Sequence, residues 1–421
     1  MIRQPVATHV STVRPLFPIV GLLLALLAVA SCERGCQTAP AGQTPSSVAV
    51  SRLSPDPARI DSASAELRQR LRDSPHAFFR FLNKEWMQEV CGAFEGELKS
   101  VPAVRLHGDA HVEQYAVTGG ARGLDDFDDS AVGPAVIDLV RFLGSLEMTA
   151  HQRGWSQERN VAADAFLRGY RRALQDPTYL PSDPSVVQRI RKTASRSQAE
   201  FLAWAESLMQ PPSSEDVAAL KAAWPRLEAY AREADPSVTP DYVRLKRAGW
   251  LRMGIGSALA RKFLLRLEGP SPASDDDLVI EAKEVTTLRG VSCLTVPASG
   301  EVFRVVEGMS QLGRVSHRVL VVVPLFPISR PDARGWWVKN WEPSYQEVEI
   351  GDFASEQELA EVAHDVGAQL GSTSTLGSVE LAPQKRLMEL ESVTHLEPRI
   401  REVAHDLSSA TLEAWTQFRR R

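Results

Sequence analysis

Sulfur is scarce in this chain. Its 421 residues carry four cysteines, and none stands in a CxxC or Cys/His spacing that would build a zinc site. Positive charge is not in excess either: 48 Lys and Arg face 53 Asp and Glu, a formal net charge of −5. The basic patches, Arg189 to Arg196 and Arg419 to Arg421, are short and interleaved with polar residues as on solvated helix faces, so the balance speaks against nucleic acid as a partner. Asp109-Ala110-His111 has no accompanying GNH segment, which removes a metallophosphoesterase reading of that DxH triplet. Long apolar runs are limited to Leu16 through Ala30, too short for a comfortable membrane span. Repetition is limited to EVAHD at 361–365 and 402–406, a coincidence between two amphipathic helices that leaves His364 and His405 as surface or packing residues.

The one apolar run has an address function. It follows Arg3 and Arg14 and ends in Val29-Ala30-Ser31-Cys32, the pattern of a bacterial lipobox. Residues 1–31 are expected to be a lipoprotein signal peptide and Cys32 the lipidated first residue. Acyl chains on Cys32 would anchor the protein to a membrane of the bacterial cell envelope, facing the extracytoplasmic side. The competing reading is an uncleaved signal anchor with a chance cysteine. Residues 32–60, rich in Pro, Ser, Thr, Gln and Ala, read as a flexible tether. An oxidising compartment permits a disulfide between Cys91 and Cys293, with two buried thiols as the equal alternative.

Residues 105–141 carry the chemistry. An HGD turn, His107-Gly108-Asp109, stands about seventeen residues before Asp125-Asp126-Phe127-Asp128-Asp129. A kinase catalytic loop reads HxDxxxxN, in which the Asp orients a hydroxyl and the Asn holds a metal, while a second Asp beyond a hairpin holds Mg²⁺ against the phosphates. His107, Asp109 and His111 are the catalytic candidates. Asp126, Asp128 and Gln114, which stands where the Asn is expected, are the metal candidates. Acidic turn residues ordinarily cap helices or face solvent. Crowded like charges, however, need a compensating cation or hydrogen bonds. Asp126-Phe127 resembles the metal-binding pair of aminoglycoside-phosphotransferase-like kinases, and Asp138-Leu139 the Asp-Leu that braces their catalytic loop.

These segments resemble a bacterial family called domain of unknown function 2252, with its GDAHxxNFG, NDFDE and GPxxxDLxR blocks. This chain has Gly108 to His111, Asp125 to Asp129, and Gly133-Pro134 through Asp138-Leu139 and Arg141. The likeness extends to Gly254, Gly256 and Ser257 in a glycine-serine turn, Lys283 on a strand, and Glu307 in a VVEG helix, so it spans roughly residues 65–375. It implies that Gly254, Gly256 and Ser257 approach phosphate, that Lys283 steadies it, and that Glu307 fixes Lys283. Taken alone, Lys283 reads as an edge-strand lysine and Glu307 as part of a solvated helix face. The chain departs from the family pattern at Gln114, at Tyr115, and at Gly367 through Ser374.

In ordinary kinases the glycine loop and lysine precede the HxD loop; here they follow it. The expected fold is therefore α+β, a two-lobed protein-kinase-like architecture in circularly permuted order. Its parts are a helical lobe over 61–250 with the HGD and DDFDD segments, a β-rich lobe over 251–350, and C-terminal helices over 351–421 packing on the helical lobe. Phe78, Phe79, Leu82 and Trp86 form a core stripe in the first helices. Nucleotide would sit between the lobes, and the helical stretch 150–250 would carry acceptor specificity. The expected function is Mg²⁺-dependent phosphotransfer from ATP or another phosphate donor to a hydroxyl acceptor. The alternative is a catalytically silent kinase-like binding or scaffold lipoprotein that holds a nucleotide or phosphorylated small molecule.

Overall fold

A computed structural model of the chain describes residues 53–155, 160–193, 196–234, 244–251, 254–255, 259–269, 271–295, 300–314, 320–323, 333–372 and 382–420. The expected signal peptide, Cys32 and most of the tether lie outside the described residues, as do Gly256 and Ser257.

Serines open the first helices. After α1 (Pro57–Ser62), Ser64 caps α2 (Ala65–Asp73) by accepting from the Leu67 N–H, and Ser74 caps α3 (Pro75–Phe81) through Ala77. Proline at the first position of α3 loses nothing, because that N–H has no intrahelical partner. In α3 and α4 (Asn83–Ala93), Phe78, Phe79 and Trp86 are buried at helical spacing, and Leu82 is buried at the joint between them. Strand β1 (Ala103–Leu106) leads into the HGD turn. A hairpin of β2 (Tyr115–Val117) and β3 (Arg122–Leu124) precedes the acidic turn, and β4 (Ala131–Pro134) returns antiparallel to β1.

Helix α5 (Val136–Arg153) stops at Gly154, whose φ of +67° ends the helix in a left-handed residue. There follow α6 (Val161–Gln175), α7 (Ser185–Thr193), α8 (Gln198–Ser207), β5 (Met209–Gln210) and α9 (Ser214–Ala234). Next come β6 (Leu245–Leu251), β7 (Lys262–Leu267), β8 (Leu278–Thr286), α10 (Glu301–Leu312), β9 (Leu320–Val323) and β10 (Ala333–Asn340). The chain closes with β11 (Gln346–Glu347), α11 (Glu356–Gly371) and α12 (Ala382–Arg419). Helices α6 and α11 cross at contact distance through glycine: a Cβ on Gly367 would stand 2.0 Å from the Phe166 carbonyl oxygen. Glycine at position 367 thus has a packing reason.

Six strands form one antiparallel sheet in the order β5-β6-β7-β8-β10-β9. Its alternating side chains divide cleanly. Phe263, Leu265, Ile280, Ala282, Trp336 and Val338 pack with Leu220 and Trp224 of α9. On the opposite face Leu264 and Val279 meet Phe201, Leu202 and Ala205 of α8. Helices α8 and α9 therefore belong to the sheet, and the β-rich part begins near residue 198 rather than at 251. The amphipathic pattern of a helix does not say which neighbour it covers, which is why the boundary was misplaced. Val285, Leu288 and Trp337 join the main core around Trp86 and Phe142, so sheet and helices share apolar contact.

The architecture is α+β. Among the described residues no helix is long and apolar enough to cross a membrane. Cys91 of α4 is disulfide-bonded to Cys293, which follows β8, with Cα atoms 5.5 Å apart.

Candidate functional site

The HGD turn is held by backbone groups. Gly108 has φ +84°, and a Cβ there would lie 1.8 Å from the Asp129 carbonyl oxygen, so no other residue fits without moving the acidic turn. Asp138, buried in the first turn of α5, accepts the N–H of His107 at 2.7 Å and of Gly108 at 2.9 Å. The His107 ring is fully buried; its Nε2 donates to the Asp125 carbonyl at 2.8 Å and its Nδ1 accepts from the Asp109 N–H at 3.2 Å. This is a strut between the two turns. His107 does not line the cleft, because both ring nitrogens are turned to backbone groups.

Asp109 is buried yet lines the cleft, and its Oδ1 accepts from Arg141 Nε at 3.0 Å and Nη2 at 2.9 Å. Burial raises its carboxyl above the usual range against the pull of Arg141. Arg141 in turn lies 3.6 Å over the Phe79 ring. His111 stands behind Asp109, with Nε2 3.6 Å from Oδ2, fully buried and kept well below its usual pKa by that burial. It is absent from the cleft lining, so it backs Asp109 and does not face a ligand.

The acidic turn has an unusual backbone. Asp126 adopts φ +60°, a left-handed conformation that costs a non-glycine residue energy and recurs at functional sites. It sends neighbouring carboxylates apart: Asp125 takes Lys339 Nζ at 2.8 Å, and Asp126 takes Lys283 Nζ at 2.8 Å. Lys283 also contacts Asp128, whose Oδ1 accepts from Trp337 Nε1 at 3.1 Å. Burial and the adjacent Asp126 push Asp128 up to about 7 against the pull of Lys283. Asp126 is shifted the other way: burial would raise it, but Lys283, Lys339 and Lys262 hold it below the usual carboxylate range. Asp129 accepts from Asn83 Nδ2 at 2.8 Å.

Strand register gathers the lysines. Lys262 on β7 stands opposite Lys283 on β8, and Lys339 on β10 opposite Glu281, all on one sheet face. Burial, with Lys283 adding to it, lowers Lys262 to about 8. Two chambers result. The larger, about 240 Å³, is lined by Asn83, Asp109, Gln114, Asp126, Asp128 and Asp129 among others. The smaller, about 120 Å³, holds Lys262, Lys283, Lys339 and Glu281. Arg80, Asp126 and Gly254, at φ +96°, line both. Among the described residues no three His, Cys, Asp or Glu side chains converge to hold a metal, and Lys283 lies against both Asp126 and Asp128.

The expected pairing of Glu307 with Lys283 does not occur. Val302, Val305, Met309 and Leu312 turn α10 into the core, which leaves Glu307 partly exposed on another side, bonded to Arg105 of β1 at 2.7 Å. Gly308, the last residue of VVEG, allows close approach to Ser130, where a Cβ would lie 2.0 Å from Oγ.

Residues 59–200 match a family described as "Uncharacterized protein conserved in bacteria (DUF2252)". That match supports the family resemblance over the HGD turn, the acidic turn and Arg141; Gly254, Lys283 and Glu307 fall beyond it. No curated protein and no solved structure matches the chain.

Sequence reasoning missed Asn83, Lys262 and Lys339. No motif marks them, and only helix placement and strand register bring them to the cleft.

Proposed function

We propose that the cleft is a phosphotransfer site of kinase-like design in permuted order. The observation that carries this reading is the hydrogen bond from Lys283 to Asp126, which joins a strand lysine to the acidic turn across 157 residues of sequence. Order along the sheet supports it as well. The glycine turn at Gly254 follows β6, the lysine lies on β8 and helix α10 comes next, as protein kinases carry a glycine loop, a third-strand lysine and helix αC. Glu307 departs from that plan, since it engages Arg105.

The carboxylate oxygens of Asp126 and Asp128 are donors of the type Mg²⁺ prefers, so the residues present fit that ion. Bound Mg²⁺ would supply charge neutralisation on the phosphates of ATP or another donor. Lys283 would exchange its carboxylate partners for phosphate oxygens. Asp109, held through Oδ1 by Arg141, keeps Oδ2 to take the proton of an acceptor hydroxyl, and its raised pKa makes it a stronger base than an exposed aspartate.

The Cys91–Cys293 disulfide supports an extracytoplasmic address, because such bonds persist in oxidising compartments, and it accords with the lipobox at Cys32. That address favours a second reading, a lipid-anchored module that binds a phosphorylated ligand without turnover.

The test is calorimetric titration of Mg²⁺ with ATP, ADP or pyrophosphate into wild type, Asp126→Ala and Asp109→Ala, with transfer assayed in parallel. Binding lost in Asp126→Ala, and turnover lost with binding retained in Asp109→Ala, is the expected result. Binding without turnover in the wild type selects the second reading. No metal-dependent binding in any of the three proteins removes the phosphotransfer reading and favours a non-nucleotide binding or scaffold module.

A further inference from the structure

Asn83 opens α4 and is 5% exposed, and its amide is fully oriented. Nδ2 donates to the Gly108 carbonyl at 3.0 Å and to Asp129 Oδ2 at 2.8 Å. A flipped amide would set oxygen against two acceptors, so the orientation is fixed by its partners. Oδ1, also buried, receives no hydrogen bond, although buried carbonyl oxygens in folded proteins nearly always have a donor. The residue lines the acidic chamber beside Asp109, Asp126, Asp128 and Asp129. Of the arginines on that chamber's wall, Arg59 is paired with Glu85 and Arg80 with Glu113 through Nη1.

We infer that Asn83 Oδ1 is the neutral oxygen ligand of a divalent-cation site completed by the carboxylate of Asp129, the role that HxDxxxxN spacing assigns to position 114. A buried oxygen without a donor, on an amide bonded to the Asp129 carboxylate, is suited to a hard cation, which takes amide and carboxylate oxygens together. The bond to Gly108 anchors this amide to the HGD turn itself, as a loop asparagine would be anchored. Gln114 then has no ligand role to fill. The inference deepens the phosphotransfer reading and rests on it for the phosphate, though not for the cation.

The probe is Mn²⁺ alone, titrated into the full-length chain and followed by the electron paramagnetic resonance of the free ion, with thermal melts alongside. Asn83→Ala is expected to weaken binding about ten-fold or more and to abolish the Mn²⁺-induced rise in Tm. Asn83→Asp keeps an oxygen and adds charge, so Mn²⁺ affinity holds or rises while metal-free stability falls; a merely structural asparagine would lower both. Gln114→Ala is expected to leave binding unchanged.

No Mn²⁺ binding by wild type, unchanged binding in Asn83→Ala, or parallel loss of affinity and stability in Asn83→Asp would each overturn the inference. So would loss of binding in Gln114→Ala. Mn²⁺ binding through Asn83 without phosphotransfer leaves this site standing and removes the phosphotransfer reading; transfer with binding unaltered in Asn83→Ala does the reverse.

Discussion

The two sides of the cleft are built by opposite means. On the HGD side, position is set by backbone: Gly108 and Asp126 at positive φ, and two N–H groups caught by Asp138. On the sheet side, position is set by register, which sets Lys262 against Lys283 and leaves carboxylates to compensate the crowding. A backbone-built wall should tolerate almost no change, whereas a register-built wall carries electrostatic cost that a neutral residue relieves.

The largest effect should come from Gly108→Ala, which combines a positive φ with a clash against the Asp129 carbonyl; a loss above about 4 kcal/mol in denaturant unfolding is expected. Asp138→Ala leaves two buried N–H groups without their acceptor and should cost about 2–4 kcal/mol by the same measurement.

Lys262→Met should act in the opposite direction. The folded chain releases the Lys262 proton near 8 and the unfolded chain near 10, so between these values the unfolded state binds more protons and wild-type stability rises with pH. The variant should flatten that rise and gain on the order of 1–2 kcal/mol at neutral pH. A destabilised Lys262→Met would erase the contrast between the walls. Glu307→Gln should be smallest, within about 1 kcal/mol and without effect on cleft ligands, because its partner is Arg105 and it is partly exposed.

Legibility in the sequence followed the same division. The HGD and DDFDD segments were readable because their geometry is local: glycine supplies the positive φ, and Asp138 is called for by the turn it braces. The α+β class was expected from the order of the HGD, glycine and lysine segments, and the structure is a mixture of helix and sheet. Glu307 was misplaced because a helical pattern gives the buried face of α10 and not the strand behind it. Lys262 and Lys339 depend on pairing between strands distant in sequence, and Asn83 on where α4 begins relative to a turn it meets only in the fold. The edge of the sheet unit was lost for a like reason, since the sequence of α8 does not say which surface it covers.

The disulfide ties these walls together. Cys91 lies on the helix that carries Asn83, Lys84 and Met87 into the cleft, and Cys293 on the segment just after Thr287 and Leu288, which line the same chamber. A covalent bolt at that edge holds α4 to the segment after β8 and so keeps the chamber from gaping there. Protein made in a reducing cytosol would lack the bolt, and affinities measured on it would describe a looser vessel than the bonded one.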